Sequence, residues 1–401
     1  MSAVKMSLGK SANRDGTSWP VVLQQPFRLF FLAAAWFAVL HAAWWGGMLA
    51  SGSMGIEGNP FLWHGYHMVF GFAVAIVIGF LLTASANWTG RRVSPPLLTL
   101  TLFLCWLVAR MAGFFTSPIS PLLAQVCDAL ALWGATVALA YALLKSDNRR
   151  NYMFIAVLAA LASAATFFVF AEIGLVADIR FGLLRVGLDL MLLLMILMGQ
   201  RIIPFFTDRR LPTLAVRQSR ALMVAAPLSV LLAVLAYHLQ QPMLAMSLML
   251  VSAVVLCMQM TLWRSWGSWR EPMLWILHIG YLWLVVSLIF RAGSLGFGWM
   301  PYSTAGHAVS VGALGALGLG MLARVSLGHT GREIRASGWM VLAFVLVTVA
   351  AILRMLTGFP TGLPMQWLFG LSALSWILAW LLFAVSYLPV LLSPRVDGRP
   401  G

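Results

Sequence analysis

The chain has 401 residues, of which 61% are hydrophobic and only 9% charged, with mean hydropathy +0.91. A soluble globular chain carries roughly 25% charged residues, so a water-soluble enzyme, a disordered protein and a secreted disulfide scaffold are all excluded. The formal charge of +15 and pI near 11 raise nucleic acid as a partner, but no basic soluble face exists to bind it. What remains is an all-α, polytopic membrane bundle. Cys105, Cys127 and Cys257 lie singly in apolar runs and read as buried thiols.

In chain order, residues 1–25 read as a polar N-terminal tail with Lys5, Lys10 and Arg14, and residues 26–392 as the membrane domain. Residues 393–401 form a short C-terminal tail. A spanning helix needs about 20 apolar residues, and twelve such runs follow. They are 27–50, 66–87, 97–117, 122–144, 152–172, 182–206, 219–238, 242–262, 273–291, 303–325, 338–357 and 366–391. The alternating ten-residue segments of a barrel are absent.

The cations orient the spans. On one set of alternate loops and span ends lie Lys5, Lys10, Arg14, Arg28, Arg91, Arg92, Lys145, Arg149, Arg150, Arg201, Arg209 and Arg210. The same side holds Arg217, Arg220, Arg264, Arg270, Arg324, Arg332, Arg335, Arg395 and Arg399, making 21 of the 26 Lys and Arg. By the positive-inside rule this side is cytoplasmic, both termini lie there, and the span number is even. The basic charge is thus topology, not a nucleic-acid site.

Three even-numbered spans end alike: Thr89-Gly90-Arg91, Thr207-Asp208-Arg209 and Thr330-Gly331-Arg332, at spacings of 118 and 123 residues. A second echo links Arg110-Met111 and Gly113-Phe114 in span 3 with Arg354-Met355 and Gly358-Phe359 in span 11. Together they predict three four-helix units, with spans 2, 6 and 10 equivalent and inward-facing.

Ionisable residues inside a membrane are functional candidates by default. His41 in span 1, His64 and His67 at the entry of span 2, and His307 in span 10 fall at similar depth in the outer half. Residues i and i+3 lie about 60° apart on a helix, so His64 and His67 share a face. Converging imidazoles in an apolar bundle suit haem iron or copper; the alternative is that each bonds a neighbouring helix. His278 lies near the other end of its span, as a structural residue or the ligand of a second cofactor. His238 reads as a solvated interfacial residue and His329 as a helix-end cap. Arg110, Arg291 and Arg354 lie near the outer ends of spans 3, 9 and 11. A buried guanidinium needs an anion. Glu57, Asp128, Glu172, Asp178 and Asp189 are the available carboxylates, and haem propionates are the alternative partner. Trp44, Trp45 and Trp63 stand near the histidines as pocket walls.

Several stretches resemble the NnrS family. They are Pro26-Phe27-Arg28, Trp63-His64 leading into Phe70-Gly71-Phe72, Gly79 to Ala84, and Asn87-Trp88-Thr89-Gly90-Arg91. They continue with Arg201 to Thr207, His278-Ile279-Gly280-Tyr281, and Ala323 to Arg332 with its Gly-His-Thr-Gly-Arg end. The resemblance implies a twelve-span protein of the bacterial inner membrane that carries haem b and copper and acts in relieving nitrosative stress. It points to His64, His278, His307 and His329 as family-pattern histidines. Where the family reads Trp-His-x-His-Glu-Met, this chain reads Trp63-His64-Gly65-Tyr66-His67-Met68, which moves a ligand or removes a carboxylate.

The leading expectation is a haem protein that binds nitric oxide, with its reduction or other disposal as the further step. His64, His67 and His307 are the expected metal ligands. His41 and His278 join them in cofactor binding, Arg110, Arg291 and Arg354 hold propionates, and Tyr66 donates a proton or hydrogen bond to bound ligand. The rival is a cofactor-free transporter or channel with a path lined by His and Arg; a third reading is a haem-binding sensor. Membrane lipid is the surrounding partner, and no electron donor is indicated.

Overall fold

The computed structural model describes residues 19–52, 58–114 and 119–398. The N-terminal cations Lys5, Lys10 and Arg14, the carboxylate Glu57, the last residues of expected span 3, and Arg399 lie outside them.

Twelve helices make up the bundle. They are α1 (Pro26–Ser51), α2 (Pro60–Thr89), α3 (Pro96–Ala112), α4 (Ser120–Lys145), α5 (Tyr152–Glu172) and α6 (Arg180–Arg210). The second half holds α7 (Arg220–His238), α8 (Pro242–Leu262), α9 (Pro272–Phe297), α10 (Tyr302–His329), α11 (Gly338–Leu356) and α12 (Met365–Leu392). Eleven are long and apolar enough to cross a membrane; α3, at 17 residues, is shorter. The protein is therefore a multi-pass membrane protein. Leu130, Trp133, Val137, Tyr141 and Leu144 on α4, and Val224, Leu228, Leu231 and Leu235 on α7, are exposed at helical spacing. Such outward apolar stripes suit contact with lipid.

The helix starts follow from local chemistry. Proline occupies the first turn of α1, α2, α3, α4, α8 and α9, where its missing N–H has no helical partner to lose. Asn59 caps α2 by accepting from the Phe61 and Leu62 amides at 3.0 and 3.2 Å. This places the start of α2 six residues earlier than the apolar run at 66 suggests, and puts His64 inside the helix.

The threefold echo has a structural basis. Thr89, Thr207 and Thr330 each donate their hydroxyl to the carbonyl four residues back, at 2.8, 2.8 and 2.7 Å. Gly90 and Gly331 then turn left-handed, with φ of +65° and +74°, which ends α2 and α10. Asp208 holds the equivalent place in α6 and stays helical, so α6 runs on to Arg210. Both α2 and α10 also contain a π-helical turn, His67–Ala73 and Ala308–Ala313. Each begins 22 residues before the terminal threonine (89 − 67 and 330 − 308). Such turns cluster at functional sites. The central helices are α2 and α10, each 83% buried in its apolar window; α6, at 56%, is no more enclosed than α9, at 61%. The expected equivalence of spans 2, 6 and 10 thus holds for two of the three. The chain closes on itself where α12 packs along α1.

The even-numbered helices finish at one end of the bundle with Lys145, Arg209, Arg210 and the loop arginines; this is called the basic end below. At the opposite end, Arg180 bridges Glu172 at 2.7 Å and Asp178 at 2.8 Å. Bonds from the Arg180 side chain and backbone hold the Asp178 carboxyl down at about 2, below its ordinary 3.8. A depressed carboxylate stabilises above its unfolded value and stops doing so as pH falls through the folded one. Amide exchange over residues 173–180 is expected to be flat from pH 8 to 5 and, after correction for intrinsic rates, to quicken between pH 4 and 2. In Arg180→Ala the quickening is already present at pH 7.

Candidate functional site

At the end opposite the basic one, α1 to α4 bring together a buried polar cluster. His41 and Trp45 lie one turn apart on α1, and Trp63, His64 and His67 on α2. His41 Nε2 and His64 Nδ1 share a hydrogen bond of 3.0 Å. Trp45 stacks on His64 with centroids 4.4 Å apart, and Trp63 stacks on His41 at 4.7 Å. Trp63 is fixed by its indole N–H, which donates to the Gly113 carbonyl at 2.7 Å. The two tryptophans lie flat on the two histidines, whereas Trp44 lies outside, half exposed and against Phe114.

His67 faces the other way. Arg110 Nη1 meets its Nδ1 at 2.8 Å. A guanidinium only donates, so that Nδ1 is the unprotonated nitrogen. Arg110 Nη2 forms an ion pair with Asp128, and Asp128 Oδ2 also accepts the Tyr66 hydroxyl at 2.8 Å. All four groups are buried. Space for them depends on two glycines: a Cβ at Gly71 would overlap the Arg110 guanidinium, and one at Gly113 the His67 ring. Among the described residues, His41 Nδ1, Arg110 Nε and Asp128 Oδ1 have no hydrogen-bond partner.

On α10, His307 stands at the mouth of the second π turn. Its Nδ1–H donates to the Ser303 carbonyl at 2.8 Å, which leaves Nε2 with the lone pair. Arg354 Nη2 lies 3.3 Å from that Nε2, and Arg354 is itself held by the Thr357 hydroxyl at 2.7 Å and lies over the Phe369 ring at 4.8 Å. His64 is near enough to feel the Arg354 charge, and His307 to feel His64, so the two groups occupy one end of one interior.

The third unit has its own pair. Asp189 on α6 accepts from His238 on α7 at 3.0 Å and forms an ion pair with Arg291. Arg291 lies 5.0 Å over Tyr302, which stacks on Tyr237 at 4.5 Å. The expectation of a solvated His238 is thus corrected: its side chain is 29% exposed but anchored on a buried carboxylate. In each unit an even helix touches the next helix near the same end: His67 with Arg110, Asp189 with His238, His307 with Arg354.

Of the expected site residues, the fold gathers His41, His64, His67, Tyr66 and Arg110 into one cluster and places His307 with Arg354 nearby. Two of the three membrane arginines meet protein carboxylates, Asp128 and Asp189; Arg354 has no ion pair among the described residues. Among these residues no three His, Cys, Asp or Glu side chains are placed to hold one metal ion, so His64, His67 and His307 do not form a joint shell. His278 lies apart at the basic end, bonded to Thr207 and Ser265 at 2.9 and 2.8 Å. His329 ends α10 as expected, with its carbonyl accepting from Arg395 at 2.8 Å and its ring on Phe27.

No curated protein matches the chain. The NnrS protein family matches residues 21–395, nearly the whole length, and all the stretches on which the resemblance rested fall within it. The chain belongs to the NnrS family, membrane proteins of the nitric-oxide response.

Proposed function

We propose that the protein binds haem b between the α1–α2 histidines and His307, takes nitric oxide as the haem's ligand, and so relieves nitrosative stress. It does this in the bacterial inner membrane, with both termini and the basic end on the cytoplasmic side. The observation that carries the reading is the state of His307. Its Nδ1–H is fixed on a backbone carbonyl, as in a metal-ligating imidazole, and its Nε2 lone pair meets, among the described residues, only the Arg354 guanidinium, at 3.3 Å, which would turn aside to admit iron.

The residues fit a haem in part. His307 and His64 would hold the iron through ring nitrogens, Trp45 and Trp63 would be flat walls, and Arg354, the guanidinium without a carboxylate among the described residues, would hold a propionate. Arg110 and Arg291 are engaged by Asp128 and Asp189 and drop out of that role. When bound, the iron would supply a position for a diatomic ligand once one of the two imidazoles leaves it. The residues do not fit a three-ligand copper shell, and copper takes no part in the proposal. The Tyr66 hydroxyl donates its hydrogen bond to Asp128, so it acts by fixing that carboxylate rather than on the ligand.

The test is spectroscopic. Protein purified after haem-replete expression is expected to show a Soret band, a b-type pyridine haemochrome and a shift on anaerobic addition of nitric oxide. His307→Ala and His64→Ala are each expected to lose most of the band. Absence of a Soret band in wild-type protein sinks the haem reading and favours the transporter, which solute counterflow in liposomes then tests. A spectrum unchanged in both variants sinks the ligand assignment.

A further inference from the structure

A second site lies at the basic end, away from the cluster above. Between α8, α9 and α11 is a cavity of about 530 Å³. Trp269, Trp275 and Leu282 give it flat and apolar walls, and His278, Ser265, Ser268 and Thr348 form its polar edge. Trp269 is 66% and Leu282 44% exposed on the outside of the bundle, so the cavity opens toward lipid, not into the interior. Trp266 and Trp269 carry Arg264 and Arg270 over their rings at 5.8 and 4.9 Å. Such Trp–Arg pairs mark the level of a membrane interface.

The hydrogen-bond pattern of the polar edge restricts the occupant. The Ser268 hydroxyl donates to the Ser265 carbonyl at 2.7 Å, and the Thr348 hydroxyl to the Phe344 carbonyl at 2.9 Å. The Ser265 hydroxyl stands before the Met260 carbonyl at 2.9 Å and His278 Nδ1 at 2.8 Å. Whichever of the two it serves, its one proton points into the protein. His278 Nε2 is engaged with Thr207 at 2.9 Å. A hydroxyl has one proton and two lone pairs, so in this arrangement all three hydroxyls keep lone pairs but have no proton to offer an occupant. Ser265 and Ser268 sit on the turn after α8, and Thr348 on α11, so acceptors stand on two sides.

An acyl chain has nothing to donate to them. A quinone ring offers only carbonyl acceptors. We infer that this cavity is a binding site for a lipid-soluble hydroquinone, whose flat ring lies among the tryptophans and whose two hydroxyls donate to the Ser265–Ser268 turn and to Thr348. The site then discriminates the reduced from the oxidised form by hydrogen-bond polarity alone, because a quinone would set its carbonyl oxygens against hydroxyl lone pairs. The inference does not rest on haem binding and can be tested whether or not haem is present.

The experiment is anaerobic titration calorimetry of the full chain in detergent with decylubiquinol, decylubiquinone and decanol. Decylubiquinol is expected to bind saturably and at least tenfold tighter than decylubiquinone, and decanol not to bind saturably. A hydrogen bond is worth roughly fivefold. Thr348→Val and Ser268→Ala are therefore each expected to weaken quinol binding by about that factor while leaving quinone binding as it was or tighter. Val349→Phe, which fills the cavity from α11 without touching a hydroxyl, is expected to abolish both. Equal binding of quinol and quinone, binding of decanol as tight as quinol, or no saturable binding at all in the wild type overturns the inference. So does a quinol preference that survives both hydroxyl variants.

Discussion

Asp128→Ala is expected to destabilise the protein by about 3–5 kcal/mol, the usual result of leaving one member of a buried ion pair alone. Among the described residues Asp128 is the only carboxylate that Arg110 meets, and both side chains are 1% exposed. The same substitution takes the acceptor from the Tyr66 hydroxyl, and a buried polar group left unpaired costs about 1–3 kcal/mol. The two losses share one site and do not simply add. Removing both charges at once, as in Arg110→Met with Asp128→Leu, removes the stranded cation and is expected to recover most of the loss. The double variant keeps a penalty at His67, whose Nδ1 then lacks its donor. Thermal unfolding in detergent, followed by size-exclusion chromatography of the heated samples, measures all three. An Asp128→Ala midpoint within a degree or two of wild type would show that the pair does not hold the α3–α4 end together.

A comparison with Asp189 separates the pair from its surroundings. Asp189 also carries a buried arginine, but His238 is a second partner and is 29% exposed. That pair is less tightly enclosed, since about 70 Å³ of free space adjoins Asp189 and His238. Asp189→Ala is therefore expected to cost less than Asp128→Ala in the same measurement.

The spans were legible because hydropathy is a sum over about 20 residues and tolerates local error. Their starts were less so. The apolar run of α2 begins at residue 66, yet Asn59 and Pro60 start the helix, because a cap and a first-turn proline act regardless of hydropathy. The arginines were legible as cations needing an anion, and Asp128 and Asp189 were among the available carboxylates. Which arginine meets which depends on how α3 lies on α4 and α6 on α9, and residues 291 and 189 stand 102 apart in the chain. The π turns left no mark in hydropathy; the matching places of Gly71 and Gly312, each 18 residues before its terminal threonine, were their one sequence trace. The polarity of the His278 cavity was out of reach, since it depends on which carbonyl each hydroxyl finds.

Gly280 shows how far packing, not composition, sets what the chain tolerates. It lies on α9 against α10, and a Cβ there would stand 2.7 Å from the backbone nitrogen of Leu317 and 2.6 Å from its Cγ. A side chain could turn aside; the backbone of a central helix moves only if the whole of α10 does. Replacing glycine by alanine inside a helix gains roughly 0.5–1 kcal/mol from the backbone, whereas overpacking a tight contact costs about 1–3 kcal/mol. The second effect wins, and Gly280→Ala is expected to lower stability by about 1–2 kcal/mol. Gly318, five residues past the end of the π turn on the same α10, gives the opposite sign. Its added Cβ would meet Ile76 at 3.5 Å and Trp380 at 3.8 Å, ordinary contact distances, so Gly318→Ala is expected to be neutral or stabilising by up to about 1 kcal/mol. The two variants differ by the same methyl group, so the difference between their unfolding midpoints isolates the approach of α9 to α10. Equal midpoints would mean that the two helices are not in backbone contact at Gly280.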